Sequence, residues 1–167
     1  QKDTGGTLQL KNTLAMREMI QRHLPSILSG QYQLNPQASG IPTYYPRRYE
    51  TDSLIDWKMP VEFLERFIRA VTQPFNGAYS FIGQEKIILW QAQIFSNDEF
   101  LFPDSKPGEI LEVFSEKEIL VKAINGTLLV TNFSYIHQPL KGSLLHFGKN
   151  PPRKFLTNQE GYFDLPV

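Results

Sequence analysis

Apolar residues recur at helical spacing in two stretches of this chain and cluster in five β-prone runs, with Pro, Gly and polar residues between them. The first helical stretch carries Leu8, Leu10, Leu14, Ala15, Met16, Met19, Ile20 and Leu24 and predicts a helix from about Leu8 to Leu28. Thr7 suits its N-cap, Pro25 is expected to end or kink it, and Gly30 is a good terminator. So broad an apolar set needs a partner that residues 1–30 do not contain, and its natural partner is expected to be missing from the chain. The second stretch is better specified: Pro60 suits a first helical turn, and Leu64, Phe67, Ile68 and Val71 form one stripe. Glu62 and Arg66, and Glu65 and Arg69, are spaced for ion pairs across one turn, in the order the helix dipole prefers. Such pairs are worth only about 0.3–0.5 kcal/mol each, so the stripe decides that this helix packs.

Residues 31–59 hold Asn35-Pro36, Gly40, Pro42 and Pro46 among polar residues and read as an extended linker. Within it, Tyr44, Tyr45 and Tyr49 surround Arg47 and Arg48. The tyrosines fit a segment pinned onto a neighbouring surface with the arginines solvated, whereas the two guanidinium forks also suit a phosphate or a carboxylate. Leu54-Ile55-Asp56-Trp57 then forms a short apolar anchor.

From residue 77 the period is that of strands: 78–82, 87–94, 108–114, 119–124 and 127–136 are β-prone, and Asn76-Gly77 and Asn125-Gly126 are turn dipeptides able to supply positive φ. One long polar connection, Ser96 to Lys106, separates the second run from the third. Five short antiparallel strands are too few for a two-sheet sandwich, and closing them into a small barrel removes exposed edges. The expected fold is therefore α+β: an N-terminal helix and extended linker, then a helix and a small five-stranded antiparallel barrel resembling the oligonucleotide/oligosaccharide-binding (OB) fold. The regions are 1–30, 31–59, 60–136 and an irregular tail, 137–167, that holds Leu144, Leu145, Phe147, Phe155, Tyr162 and Phe163.

Seventeen Lys and Arg balance seventeen Asp and Glu, so no global field draws in a polyanion. With no cysteine and three scattered histidines, the chain offers no disulfide, no thiolate nucleophile and only a poor metal set, and it fits the cytoplasm. No apolar run approaches the roughly 20 residues that span a bilayer, so no membrane partner is expected. Gln1 in place of Met points to an excised or processed chain. Phosphate loops, His-Glu-x-x-His and Gly-x-Ser-x-Gly are all missing.

The run from Ile68 to Phe81, with Arg69-Ala70-Val71 leading into Pro74-Phe75-Asn76-Gly77-Ala78-Tyr79-Ser80-Phe81, resembles the helix-to-barrel joint that opens the C-terminal domain of 10-formyltetrahydrofolate-dependent formyltransferases. Further segments match in order: Asp3 to Leu8 resembles the entry to the last helix of that family's catalytic domain, and Thr43 to Arg48 with Asp52 to Trp57 resembles its interdomain linker. Gly108-Glu109-Ile110-Leu111 and Asn125-Gly126-Thr127-Leu128 resemble later barrel strands. The resemblance covers about residues 3–132. His23-Leu24-Pro25-Ser26 is similar to the family's catalytic His segment, but Gln21 stands where the family has Asn and Leu24 separates His from Pro, so His23 reads as an ordinary helix residue.

The resemblance implies transfer of a formyl group from 10-formyltetrahydrofolate to a primary amine, by an Asn-His-Asp set in a catalytic domain that this chain mostly lacks. Residues 1–30 would be that domain's last helix, and residues 1–167 alone are expected to have no formyl-transfer activity and to bind no cofactor. The neutral charge and the Pro-Arg-Arg, Arg-Ala-Val and Gly-Ala-Tyr-Ser wording favour the nucleotide amino-sugar branch over methionyl-tRNA formyltransferases, which need basic surfaces for tRNA. Tyr44, Arg47, Arg48 and Trp57 are then the expected substrate contacts. The rival class is a stand-alone OB-like module that binds nucleic acid or protein, and against it the strand-region residues Glu85, Lys86, Glu109, Glu112, Glu118 and Lys122 set four acids beside two bases.

Overall fold

The computed structural model describes residues 2–37, 40 and 44–146. Thr43 of the linker motif and residues 147–167 of the expected tail lie outside the described residues. The described chain divides into two compact units, one of residues 2–6 and 48–146, the other of residues 7–37, 40 and 44–47.

The helix α1 (Gly5–Leu28) makes up most of the second unit. It begins three residues before the expected start at Leu8, so Thr7 lies in its first turn and is not its N-cap. Local propensity disfavours two glycines there, but close packing requires them: a Cβ on Gly5 would lie 2.3 Å from the Ala70 carbonyl oxygen. Pro25 sits inside the helix without ending it, since a proline removes only one hydrogen bond of the ladder. The stop comes at Gly30, with φ +70°, where Gly30 N–H donates to Ile27 O and Gln31 N–H to Ser26 O, the paired bonds of a Schellman motif. No side chain of α1 is buried, and its large apolar residues are 44–78% exposed.

The other unit contains a single 3₁₀ turn (Glu50–Ser53), the helix α2 (Val61–Val71) and strands β1 (Ala78–Ile82), β2 (Glu85–Ser96), β3 (Ile110–Ser115), β4 (Glu118–Ala123), β5 (Gly126–Ser134) and β6 (Leu145–His146). The sheet is antiparallel with order β3-β4-β5-β2-β1-β6 and curls into a half-barrel. It has six strands where the sequence predicts five, because β6 is too short to show a period and sits in a Pro- and Gly-rich tail. β6 and the residues before it also bond to the start of β3 and the residues before that: Leu145 N–H donates to Gly108 O at 2.8 Å and Ile110 N–H to Ser143 O at 2.9 Å. The two ends of the strand order therefore meet at that point.

The stripe on α2 packs as expected. Val61, Leu64, Ile68 and Val71 are buried and join Ile87, Leu89, Ile119, Val121, Leu128 and Val130 in one core under the sheet. β2 bends over this core through irregular pairing with β5, between Leu89 and Ala92 and again near Ser96. The linker's apolar anchor is fixed there too: Leu54, Ile55 and Trp57 are buried, and Ile55 N–H donates to Tyr79 O at 2.9 Å.

The two turn dipeptides differ. Gly77 has φ +78°, as the Asn-Gly signal predicts, whereas neither Asn125 nor Gly126 has a positive φ. Gly126 is required for another reason, since a Cβ there would lie 2.2 Å from Ser96 O. No described helix is long and apolar enough to cross a membrane.

Candidate functional site

The segment after α2 turns sharply, with Phe75 N–H donating to Thr72 O and Gly77 N–H reaching back to Val71 O. The Gln73–Pro74 bond is cis. Gly77 is confined sterically as well as by its φ, because a Cβ would lie 2.5 Å from Ile88 Cγ2 and 2.8 Å from Trp90 Cζ3. Held in this way, the turn presents Pro74, Phe75 and Asn76 to a cleft of about 460 Å³.

The opposite wall is the end of the linker. Asp52, buried at 6% exposure, accepts Tyr49 N–H on Oδ2 at 2.7 Å and so tightens the 3₁₀ turn. Its carbonyl accepts Arg48 Nη2 at 2.8 Å, and the Arg48 guanidinium lies 5.7 Å from the centre of the Phe67 ring. Glu50 lines the same cleft and pairs with Lys86, whose ammonium lies 4.2 Å from the centre of the Tyr79 ring. Burial, with Glu50 and Asp52 nearby, pushes the Tyr79 hydroxyl above its ordinary range.

The four expected contact residues are distributed unevenly. Arg48 lines the cleft. Trp57 is in the core at 4% exposure, and its indole N–H donates to Ser80 Oγ at 3.1 Å, so its ring packs and its polar atom is engaged. Tyr44 and Arg47 belong to the other unit and are exposed. Glu50, Phe75 and Asn76 were not expected at a site, although two of them stand in the sequence signature itself.

A second, more polar cleft of about 360 Å³ lies at the end of β5 and includes Lys117, Tyr135 and His137. His137 Nε2 is 3.3 Å from Glu85 Oε1. Burial and Glu85 push the Tyr135 hydroxyl upward. The first cleft contains no histidine, and the second has no Asn or Asp beside His137. Neither lining therefore includes the Asn-His-Asp set that the resemblance implies for formyl transfer.

A curled antiparallel sheet braced by one helix, with a linker folded back across the joint, makes an α+β domain. Residues 49–140 match the family model of the formyl transferase C-terminal domain, and the chain belongs to that family. Solved structures of HypX from Aquifex aeolicus have a similar fold. The one in complex with tetrahydrofolic acid aligns with a TM-score of 0.52 and 19% identity over 72% of this chain. A substituted variant of the same protein gives 0.50 and 21% over 70%. In both, the chain spans 20% of the HypX chain.

Proposed function

We propose that this chain is the accessory, substrate-binding part of a cytoplasmic formyltransferase that acts on the primary amine of a nucleotide amino-sugar. Family membership over residues 49–140 supports the reaction class. The observation that carries the substrate side is Arg48, which stands in a cleft with the Pro74-Phe75-Asn76 turn and has one N–H committed to the Asp52 carbonyl. A guanidinium anchored in this way is oriented for the anionic end of a nucleotide.

In the proposed reaction a neutral amine attacks a formyl carbon, which 10-formyltetrahydrofolate supplies when bound to the complete enzyme. A base takes the amine proton, donors stabilise the oxyanion, and its collapse would break the formyl carbon's bond to the folate nitrogen and release tetrahydrofolate. Those duties belong to a catalytic domain, and the uncovered apolar residues of α1 are the surface proposed to pack within it. The balanced charge argues against tRNA as the amine carrier. So does Lys122, which is buried and donates to Glu99 O and Leu101 O instead of facing a groove.

The test is kinetic. In the complete enzyme, Arg47→Ala and Arg48→Ala should each raise KM for the sugar nucleotide, by about tenfold for Arg48, with kcat nearly unchanged, as loss of uniform binding requires. An unchanged KM reduces both to surface charges. Salt-dependent binding of initiator tRNA by this chain would move the reading to the methionyl-tRNA branch.

A further inference from the structure

Phe75 is fixed on one side and open on the other. A Cβ added to Gly5 would lie 2.5 Å from Phe75 Cε2, so the backbone at Gly5 closes directly over that edge of the ring. Even so, Phe75 keeps 48% of its surface exposed and lines the cleft. Tyr49 lines the same cleft with 58% of its surface exposed. Beside Phe75, the amide of Asn76 offers an acceptor and two donors. The guanidinium of Arg48 completes the set; of the carboxylates near it, Glu50 has Lys86 as its counter-ion and Asp52 Oδ2 accepts Tyr49 N–H.

We propose that this cleft binds a nucleoside 5′-phosphate: the base stacks on Phe75 next to Tyr49, Asn76 reads the base edge, and Arg48 takes the phosphate. The assignment rests on the substrate reading above and adds base-recognising residues to it. A rigid, half-exposed ring with an amide beside it is the equipment that recognises an unpaired base, which offers a π-face to stack and an edge of mixed donors and acceptors. An aliphatic ligand would leave Asn76 and Arg48 unused, and a bare phosphate would leave both rings unused. The volume, about 460 Å³, lies within the ~300–1,000 Å³ of clefts that take small organic ligands.

The experiment is an NMR titration of the ¹⁵N-labelled chain with UMP, AMP, uridine and inorganic pyrophosphate. Both nucleotides should shift the amides of Phe75, Asn76 and Gly77, and uridine should shift the same amides more weakly. Phe75→Leu keeps apolar bulk against Gly5 but removes the ring face, and should weaken nucleotide binding about tenfold while leaving pyrophosphate shifts near Arg48 unchanged. Arg48→Ala should abolish the pyrophosphate shifts and leave weak uridine binding. Should Phe75→Leu perturb the fold, Asn76→Ala supplies the same test from an exposed side chain. Nucleotide affinity unchanged in these variants, shifts confined to residues outside the cleft, or no nucleotide binding at millimolar concentration overturns the base site. Pyrophosphate binding alone removes the base site but leaves the anion role of Arg48 standing, and that role fails separately if KM in the complete enzyme ignores Arg48.

Discussion

Asn125 connects two elements far apart in sequence. Its Oδ1 accepts Val61 N–H at 2.8 Å and its Nδ2 donates to Glu62 Oε2 at 3.1 Å, so a residue in the β4–β5 turn caps a helix 64 positions upstream. Pro60, at the N-cap position itself, has no side chain able to do so. Asn125→Ala should therefore cost about 1 kcal/mol, read as a lower denaturation midpoint. The Asn125 amide, then the helix backbone and Arg66, hold the Glu62 carboxyl below its ordinary range. A lowered folded-state pKa contributes stability above the unfolded value and loses it as pH falls through the folded one. The wild type should thus weaken in acid more steeply than Asn125→Ala, in which Glu62 returns towards its ordinary value; parallel acid limbs in the two proteins would refute the coupling. The sequence marks Asn125-Gly126 as a turn, and it is one. Their deeper roles, a remote cap and a close approach to Ser96, depend on distant partners that no local pattern contains.

The 97–109 connection is held in an unusual way. Lys122, at 5% exposure on β4, donates its ammonium to Glu99 O at 2.9 Å and Leu101 O at 2.6 Å, and just beyond them Phe102 adopts φ 60°, rare for a bulky residue. Lys122→Met matches the chain length but leaves those carbonyls without their donor, at a cost of about 1–3 kcal/mol. Amide exchange in residues 97–106 should accelerate while the sheet stays protected, and unchanged exchange there would make Lys122 a bystander. At this scale the period of apolar residues was a good guide: α2 and all five predicted strands appear, and β1 keeps its expected limits. The misses have local causes. β6 is two residues long, and α1 starts early because Gly5 fits where a side chain would collide with Ala70 and Phe75.

Curling is a property of the whole sheet, and the contact that brings its two ends together requires a glycine. Gly108 has φ +89°, and a Cβ there would lie 2.4 Å from Leu145 O and 3.1 Å from Trp57 Cγ. Gly108→Ala should separate the start of β3 from the segment before β6 and destabilise the chain by more than about 1 kcal/mol. Wetting of Trp57 should shift its fluorescence to the red, and an unshifted spectrum at native stability would show that the closure tolerates a side chain. The family was legible from ordered segments spread along the chain, whereas the cleft was legible only in part. Arg48 stands out as a basic residue in a linker, but Phe75 and Asn76 read as turn chemistry, because the linker residues that share their cleft lie far upstream in the sequence.

β6 completes the sheet although it follows β1 by more than sixty positions, and Ser80 Oγ, which takes the Trp57 indole N–H, donates in turn to His146 O, 66 residues ahead. During synthesis, β1 to β5 emerge from the ribosome while the partner for the free edge of β1 is still unmade. The nascent domain must wait in that open form until residue 146 clears the exit tunnel, and for that interval the end of β1 at Phe81 and Ile82, beyond the Tyr79 carbonyl that takes Ile55 N–H, presents an unpaired edge that other chains can reach.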